Sequence, residues 1–214
     1  MTALTLTITL DAASVFVFAL TGALAASRAQ LDVVGFVFFA GLTAVGGGTV
    51  RDLLLDRNPV FWMDAPWLLG VATAAALLVF FTAHLVESRL NWLTWLDAAA
   101  LAIAVPAGFA AASALGQSAP VILVMSVITG TLGGLMRDVV ANEVPMILRQ
   151  GELYASAALA GAGAGLIAHA LALPAPIPTL AVGLTTFALR AGSLAFGWHL
   201  PVYKARPPKN QPPQ

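Results

Sequence analysis

The stretch Gly46-Gly47-Gly48-Thr49-Val50-Arg51-Asp52 places three helix-weakening glycines and an Arg-Asp pair inside an otherwise apolar segment. A second copy, Gly133-Gly134-Leu135-Met136-Arg137-Asp138, follows at an offset of 86 residues (133 − 47). The same offset aligns residues 11–61 with residues 97–147 without a gap and with 13 identities. The chain is therefore predicted to be an internal duplication. Charges and helix breaks at matched positions of two repeats are typical of a path through a membrane.

Composition places the chain among integral membrane proteins. It is 59% hydrophobic and only 9% charged, with a mean hydropathy of +0.89, whereas soluble domains carry about 25% charged residues. The net charge is zero, so nothing indicates a nucleic-acid partner, and the absence of cysteine excludes disulfides and thiol chemistry. The three histidines have no metal-ligand spacing, and no catalytic motif is present. We predict neither an enzyme nor a cofactor.

Seven apolar segments are each close to the roughly 20 residues that a helix needs to cross a bilayer. The sequence thus predicts an all-α membrane protein with membrane lipid as its surroundings. The predicted spans are residues 12–29, 33–55, 66–86, 96–115, 119–141, 153–173 and 177–199.

The duplication groups these spans into two repeats inside one membrane domain, residues 1–200. Repeat one covers about residues 11–86, repeat two about residues 97–172, and the seventh span stands alone. Because each repeat has three spans, the second must enter the membrane from the opposite side, which gives an inverted pair. The proline-rich segment 201–214 is predicted to be a disordered tail.

Basic residues predict the orientation of the chain in its membrane. One side would receive seven of them and the other only two, Arg51 and Arg57. By the positive-inside rule the N-terminus lies outside and the C-terminus in the cytoplasm. The seven are Arg28, Arg89, Arg137, Arg149, Lys204, Arg206 and Lys209.

The glycine motifs are the first candidate site. Helix rise places the three glycines that follow Val45 well inside the bilayer, where a weakened helix can leave carbonyl groups free to coordinate a cation. Gly133 and Gly134 would supply a matching kink in the fifth span. The alternative is close packing of two helices through small residues.

The charged residues are the second candidate site. Neighbours on a helix do not face each other, so Arg51 and Arg137 are expected to pair away from Asp52 and Asp138, with the aspartate of the other repeat as one choice. They would attract ions, gate the path or bind an anionic lipid; the alternative is a structural salt bridge. Arg190, midway along the seventh span, needs a counter-ion, and Asp138 is preferred over Asp52.

Two further groups of polar residues are weaker candidates. Asp11 and Asp97 stand at the predicted starts of the first and fourth spans, where they would cap helices or line a vestibule. Five hydroxyls near the glycines would line an aqueous path, unless they bond to their own helix backbone. These are Thr43, Thr49, Ser126, Thr129 and Thr131.

These motifs resemble those of the prokaryotic trimeric intracellular cation (TRIC) channel family. The likeness rests on both glycine motifs, on Asn58-Pro59-Val60-Phe61-Trp62 and on Glu152-Leu153-Tyr154-Ala155, and it covers about residues 10–200. It implies seven helices as two inverted repeats plus a seventh, in a homotrimer. It also implies one pore per subunit, lined by kinked helices two and five, that conducts potassium foremost, with potassium or sodium as permeant ions. Leu132 departs from the pattern, because it stands where repeat one has Gly46.

A second function stays open at this point. The same prokaryotic proteins are also catalogued as a glycine-transporter family, so the resemblance leaves open, as the alternative to the channel, a secondary transporter of a small zwitterion such as glycine. Broken helices would serve either function. The animal channels carry different basic motifs near the kinks, so the resemblance does not imply phosphoinositide regulation for this chain.

Overall fold

The computed structural model describes residues 3–85 and 88–203 as an all-α protein. Eight helices follow one another along these residues, and the described part contains no strand beyond an isolated antiparallel bridge between Glu152 and His199. The helices are α1 (Ala3–Arg28), α2 (Val33–Leu54), α3 (Phe61–Asp64), α4 (Trp67–Thr82), α5 (Arg89–Ala114), α6 (Ala119–Val140), α7 (Ala155–Ala170) and α8 (Ile177–Phe196).

The predicted spans correspond to seven of these helices, and α3 is a single turn between the second and third. Six helices are long and apolar enough to cross a membrane, while α7 is an apolar helix of only 16 residues, about 24 Å long. It is shorter than predicted because Glu152 pairs with His199 before it and Ala172 takes a left-handed conformation after it. Conversely, α1 and α5 begin well before the predicted starts of the first and fourth spans.

Equivalent helices of the two repeats pack against each other. Helix α1 packs against α5, and α2 packs against α6. Within each repeat the first two helices also pack together, α1 against α2 and α5 against α6. The four helices α1, α2, α5 and α6 thus form the centre of the helix bundle. Helix α8 belongs to neither repeat and lies against α5 and α7, so its contacts have no counterpart in repeat one.

The glycines mark the line along which α2 and α6 cross, which we call the α2–α6 seam. A Cβ atom at Gly47 would collide with the carbonyl oxygen of Thr129, and one at Gly133 would collide with that of Thr43. Both pairs are related by the offset of 86 residues. Only glycine lets two helix backbones approach this closely.

Both helices run through their glycines without interruption. The expected unpaired backbone groups are therefore wrong for these two helices, and the alternative of close packing describes the contacts of Gly47 and Gly133. The kink itself stays a prediction. Gly46 faces the thioether of Met136, and Gly48 faces the ring of Phe61. The segment predicted to be a disordered tail lies outside the described residues beyond Tyr203.

Candidate functional site

The end of α2 carries a buried network of charges, which we call the repeat-one cluster: Asp11, Arg51, Asp52 and Arg57. The Arg51 guanidinium donates to both Asp11 oxygens, at 2.8 and 3.3 Å, and through Nε to Asp52 Oδ1 at 2.7 Å. Asp52 also accepts from Arg57 Nη1 and from the Phe61 amide, each at 2.9 Å. Arg51 is entirely buried, so its two carboxylate partners keep its charge compensated without water.

The end of α6 carries the same arrangement, the repeat-two cluster: Asp97, Arg137 and Asp138. Arg137 donates at 2.8 Å to Asp97 Oδ1 through Nη1 and at 2.8 Å to Asp138 Oδ1 through Nε. The amide of Met146 donates to Asp138 Oδ2 at 2.9 Å, as that of Phe61 does in repeat one. In both repeats the aspartate after the arginine thereby fixes the chain segment that follows the glycine helix.

These contacts correct two predictions. Asp11 and Asp97 are not helix caps, because α1 and α5 each begin about two turns before them and their carboxylates turn inward to the arginines. The arginines do not pair across the repeats. Each one folds back to the aspartate directly after it in sequence, which is possible because the long side chain brings Nε to a neighbour that the helix backbone alone would not face.

The two clusters differ at one matched position. Arg57 aligns with Glu143, and Glu143 pairs with Arg28 of α1 at 2.9 Å instead of reaching the repeat-two cluster. Repeat one therefore balances two carboxylates with two guanidinium groups, whereas Arg137 alone directly contacts the two aspartates of repeat two.

The groups that cover the matched glycines differ as well. The Phe61 ring lies against Gly48 and stacks on Arg51, with the guanidinium carbon 5.4 Å from the ring centroid. At Gly134, the equivalent of Gly48, a Cβ would lie 3.0 Å from the Tyr154 hydroxyl and 3.4 Å from Asp97 Oδ1. An apolar ring in repeat one is thus replaced by a polar hydroxyl in repeat two.

Arg190 pairs with Glu152, so the predicted partner Asp138 is wrong. Arg190 Nη1 lies 2.8 Å from Glu152 Oε2, but neither atom has a hydrogen bond of acceptable direction, so the contact is an ion pair only. The guanidinium also stacks on Tyr154, 5.1 Å from the ring centroid. Tertiary structure brings Glu152 to α8 because the turn before α7 pairs with the segment after α8, where Leu200 N donates to Gly151 O at 2.8 Å.

The predicted path hydroxyls all bond to the backbone of their own helices. Thr43 donates to the Phe39 carbonyl and Thr129 to the Met125 carbonyl, each at 2.6 Å, which is the ordinary behaviour of such residues in membrane helices. Thr49, Ser126 and Thr131 form the same contact with the residue four positions earlier.

A small cavity lies between α1, α2, α5 and α6, beside the α2–α6 seam. Its volume is about 10 Å³, room for roughly one water molecule. The polar part of the lining consists of Asp11, Ser14, Thr43 and Thr129, and Gly47 and Gly48 supply backbone. The cavity therefore brings a carboxylate and two of the predicted path hydroxyls together between the four central helices.

This fold and its buried charges define a multi-pass, all-α membrane protein with two related halves. The sequence profile of the family described as "Glycine transporter" matches the chain twice, at residues 8–84 and 94–170, which are again 86 residues apart. The UPF0126 inner membrane protein YadS of Escherichia coli K12 is 39% identical over 196 residues, covering 89% of this chain and 92% of the relative. A UPF0126 membrane protein of Vibrio cholerae is 37% identical over 189 residues, 86% of this chain and 76% of the relative.

Solved structures show the same fold. The TRIC trimeric intracellular cation channel orthologue from Rhodobacter sphaeroides is 40% identical, with a TM-score of 0.87 over 90% of this chain and 99% of that one. A structure that addresses conductance through TRIC cation channels is 28% identical, with a TM-score of 0.83 over 94% and 98% of the two chains. The chain belongs to the TRIC family, the prokaryotic members of which the glycine-transporter profile also describes.

Sequence reasoning missed Glu152 and Tyr154 as site residues, and it named Asp11 and Asp97 without their arginine partners. Asp11 and Asp97 each precede their arginine by 40 residues (51 − 11 and 137 − 97), but the duplication gives every matched pair an equal spacing, so the spacing alone does not indicate the pairing. Glu152 and Tyr154 had no signal from the duplication, because repeat one has no ion pair of this kind and their partner Arg190 lies on the unduplicated helix.

Proposed function

We propose that this protein is a channel for monovalent cations, potassium foremost, that works as a homotrimer with one path in each subunit. The observation that supports this most is the 40% identity and the TM-score of 0.87 to a trimeric cation channel over nearly the whole chain. The subunits sit in the bacterial inner membrane with the N-terminus outside and the C-terminus in the cytoplasm. Potassium or sodium permeates and no cofactor takes part.

The proposed path follows the α2–α6 seam through the small central cavity. Asp11 lines the cavity and offers carboxylate oxygens that can coordinate a cation, while Arg51 balances the charge of this carboxylate. The hydroxyls of Thr43 and Thr129 and the backbone beside Gly47 supply oxygen ligands. Thr49, Ser126 and Thr131 extend this polar surface along the same two helices.

Conduction requires the seam to open, because the present cavity holds about one water molecule. Glycines along both helices permit this, since backbone faces backbone at Gly47 and Gly133, although the Met136 thioether packs across the crossing against Gly46. The arginine–aspartate clusters at the ends of α2 and α6 hold each helix to the first helix of its repeat. They form the charged gate: a change at either cluster alters the separation of the two helices.

The test uses purified protein in liposomes, with potassium flux and glycine uptake measured side by side. Thr43→Val keeps the shape of the side chain and removes one oxygen from the cavity, so we expect a potassium flux about two- to tenfold lower, the effect of one hydrogen bond. Thr73→Val on α4 is the matched control, because Thr73 forms the same backbone contact, to the Leu69 carbonyl at 2.8 Å, away from the cavity.

Potassium flux with no glycine uptake supports the channel. Glycine uptake without potassium flux would establish the transporter in its place. Equal flux through wild type, Thr43→Val and Thr73→Val would remove the seam as the path.

A further inference from the structure

A groove of about 130 Å³ opens on the outside of the bundle, where three helices end or begin. The last turns of α1 and α4 and the first turns of α5 line it, mostly with aliphatic side chains. The hydroxyl of Thr82, a polar group in this lining, already donates to the Leu78 carbonyl oxygen at 2.6 Å. Leu78 of α4 and Trp92 of α5 are 53% and 57% exposed. Because these helices span the membrane, the groove faces lipid.

This groove arises from the way in which repeat one packs. In the described residues, α4 and α5 both lie against α1 but make few contacts with each other, whereas α7 and α8 at the equivalent place of repeat two pack closely. Gly165 of α7 permits this close packing, because it lies directly against Val182 of α8. Repeat one has Val79 at the matched position (165 − 86), and its larger side chain keeps a neighbouring helix further away. The open space therefore belongs to repeat one and not to the architecture that the repeats share.

Arg89, the first residue of α5, lies at the end of the groove where the helices reach the membrane surface. Its Nε donates at 3.3 Å to the carbonyl oxygen of Ala83, which itself lines the groove, and its Nη1 donates at 3.2 Å to the Ser27 carbonyl oxygen. In the part of the chain that the structure describes, no carboxylate pairs with Arg89 and its Nη2 has no hydrogen bond. Arg28 differs, because it pairs with Glu143 at 2.9 Å. Among these residues Arg89 is thus a cation without a counter-charge at the mouth of an apolar groove.

The side chains along α5 follow the order of the groups in a phospholipid. Arg89, Trp92 and Leu96 are spaced i, i+3 and i+7, so they lie on one face of the helix, and the last two line the groove. Over about 10 Å of helix, this face passes from a cation to an indole ring, which is typical of the headgroup level of a bilayer, and then to an aliphatic side chain. Ser88 makes no side-chain cap on the first turn of α5, and a helix N-terminus favours phosphate.

We propose that this groove binds one anionic phospholipid, with phosphatidylglycerol as the lipid to test. One acyl chain lies in the groove, and the phosphate contacts Arg89 and the first amides of α5. A guanidinium suits this contact because its fork of N–H groups matches two phosphate oxygens. A zwitterionic lipid fits less well, since its headgroup ammonium brings a second positive charge to the same place.

The site goes beyond the proposed channel. It lies on the outside of repeat one, and the residues that line the groove are different from those that line the central cavity. The bound lipid bridges α4 and α5 at a place where these helices make few contacts. The proposal depends neither on the permeant ion nor on the orientation of the chain, because it rests on the shape of the groove and the charge beside it.

The experiment is native mass spectrometry of the full chain in mild detergent with equal amounts of palmitoyl-oleoyl phosphatidylglycerol and palmitoyl-oleoyl phosphatidylcholine. The two lipids share their acyl chains and differ in the charge of the headgroup. We expect the protein to retain about five- to tenfold more phosphatidylglycerol, which is the effect of one arginine beside an anionic headgroup. Equal retention of the two lipids, or retention of neither, overturns the proposal.

Two charge variants assign the headgroup to its residue. Arg89→Gln should remove the preference for phosphatidylglycerol. Arg28→Gln is the matched control, because it removes one positive charge at the same end of the bundle from an arginine that already has a carboxylate partner, and it should keep the preference. An equal loss in both variants would indicate diffuse attraction to a basic surface, and an unchanged preference in Arg89→Gln would place the headgroup elsewhere. Either result overturns the assignment.

Two groove variants test the place of the acyl chain. Leu78→Trp fills the groove from an exposed position and should lower the retention of phosphatidylglycerol at least as much as Arg89→Gln does. Leu77→Trp is the control, because Leu77 is also exposed but does not line the groove, and it should retain the lipid as wild type does. This pair decides the matter if Arg89→Gln does not assemble. Wild-type retention in Leu78→Trp refutes the groove as the site.

Discussion

Removing Arg51 tests whether the repeat-one cluster stabilises the fold. Arg51→Met keeps the length and apolar contacts of the side chain but deletes three hydrogen bonds, two to Asp11 and one to Asp52. Asp52 retains Arg57 and the Phe61 amide, whereas Asp11 remains buried without its cation. Removing one partner of a buried ion pair costs about 3–5 kcal/mol, and we expect a loss of stability in that range.

The measurement is reversible unfolding of the detergent-solubilised protein by denaturant. Arg28→Met is the matched control, because the Arg28–Glu143 pair is partly exposed and should contribute about 1 kcal/mol or less. Adding Asp11→Asn to Arg51→Met should recover most of the loss, since a neutral amide is far cheaper to bury than an unpaired carboxylate. Equal destabilisation by Arg51→Met and Arg28→Met, or no recovery in the double variant, would refute the reasoning.

Three further predictions follow from the packing and the topology. Gly47→Ala should lower the stability of the protein, because the new Cβ atom would collide with the Thr129 carbonyl. Gly41→Ala on the same helix is the control: the space at its Cβ is open, so the substitution should raise the stability by up to about 1 kcal/mol. Thermal unfolding of both variants tests this difference in sign. Reporter fusions after Gln30 and Gln150 should report cytoplasm and after Gln117 the outside, and the reverse pattern would exclude the orientation. Native mass spectrometry should show a trimer; a monomer as the sole species would contradict it.

Repeat one and repeat two show how a duplicated sequence acquires different properties. Both halves keep one arginine between two aspartates. In both, a backbone amide donates to the aspartate that follows the arginine, Asp52 or Asp138. They differ at one matched position, where repeat one has Arg57 and repeat two has Glu143. Arg57 pairs with Asp52 inside the repeat-one cluster, whereas Glu143 pairs with Arg28 of α1. The two ends of the proposed path are therefore not equivalent, although the helices that form them are.

Much of the architecture follows from local patterns in the sequence. Apolar segments of bilayer length predict the membrane helices, since an exposed backbone is too costly in lipid for other structures. The repeated glycine motif predicts the duplication and the family, both confirmed by the profile that matches two ranges 86 residues apart. These properties depend on periodicity, length and spacing within short windows of the chain, so they can be derived without coordinates.

Tertiary structure alone decided which charges meet and what the glycines do. Arg51 reaches an aspartate 40 residues away only because α1 packs against α2, and Arg190 meets Glu152 only because the turn before α7 pairs with the segment after α8. The same glycine motif is compatible with a break in the helix and with close packing against a second helix. The close approach of the Thr129 carbonyl to Gly47 shows that close packing is what occurs. Whether two buried charges pair depends on a distance of a few ångströms between them. When several helices carry a possible partner, the spacing along the sequence does not determine which one lies within that distance.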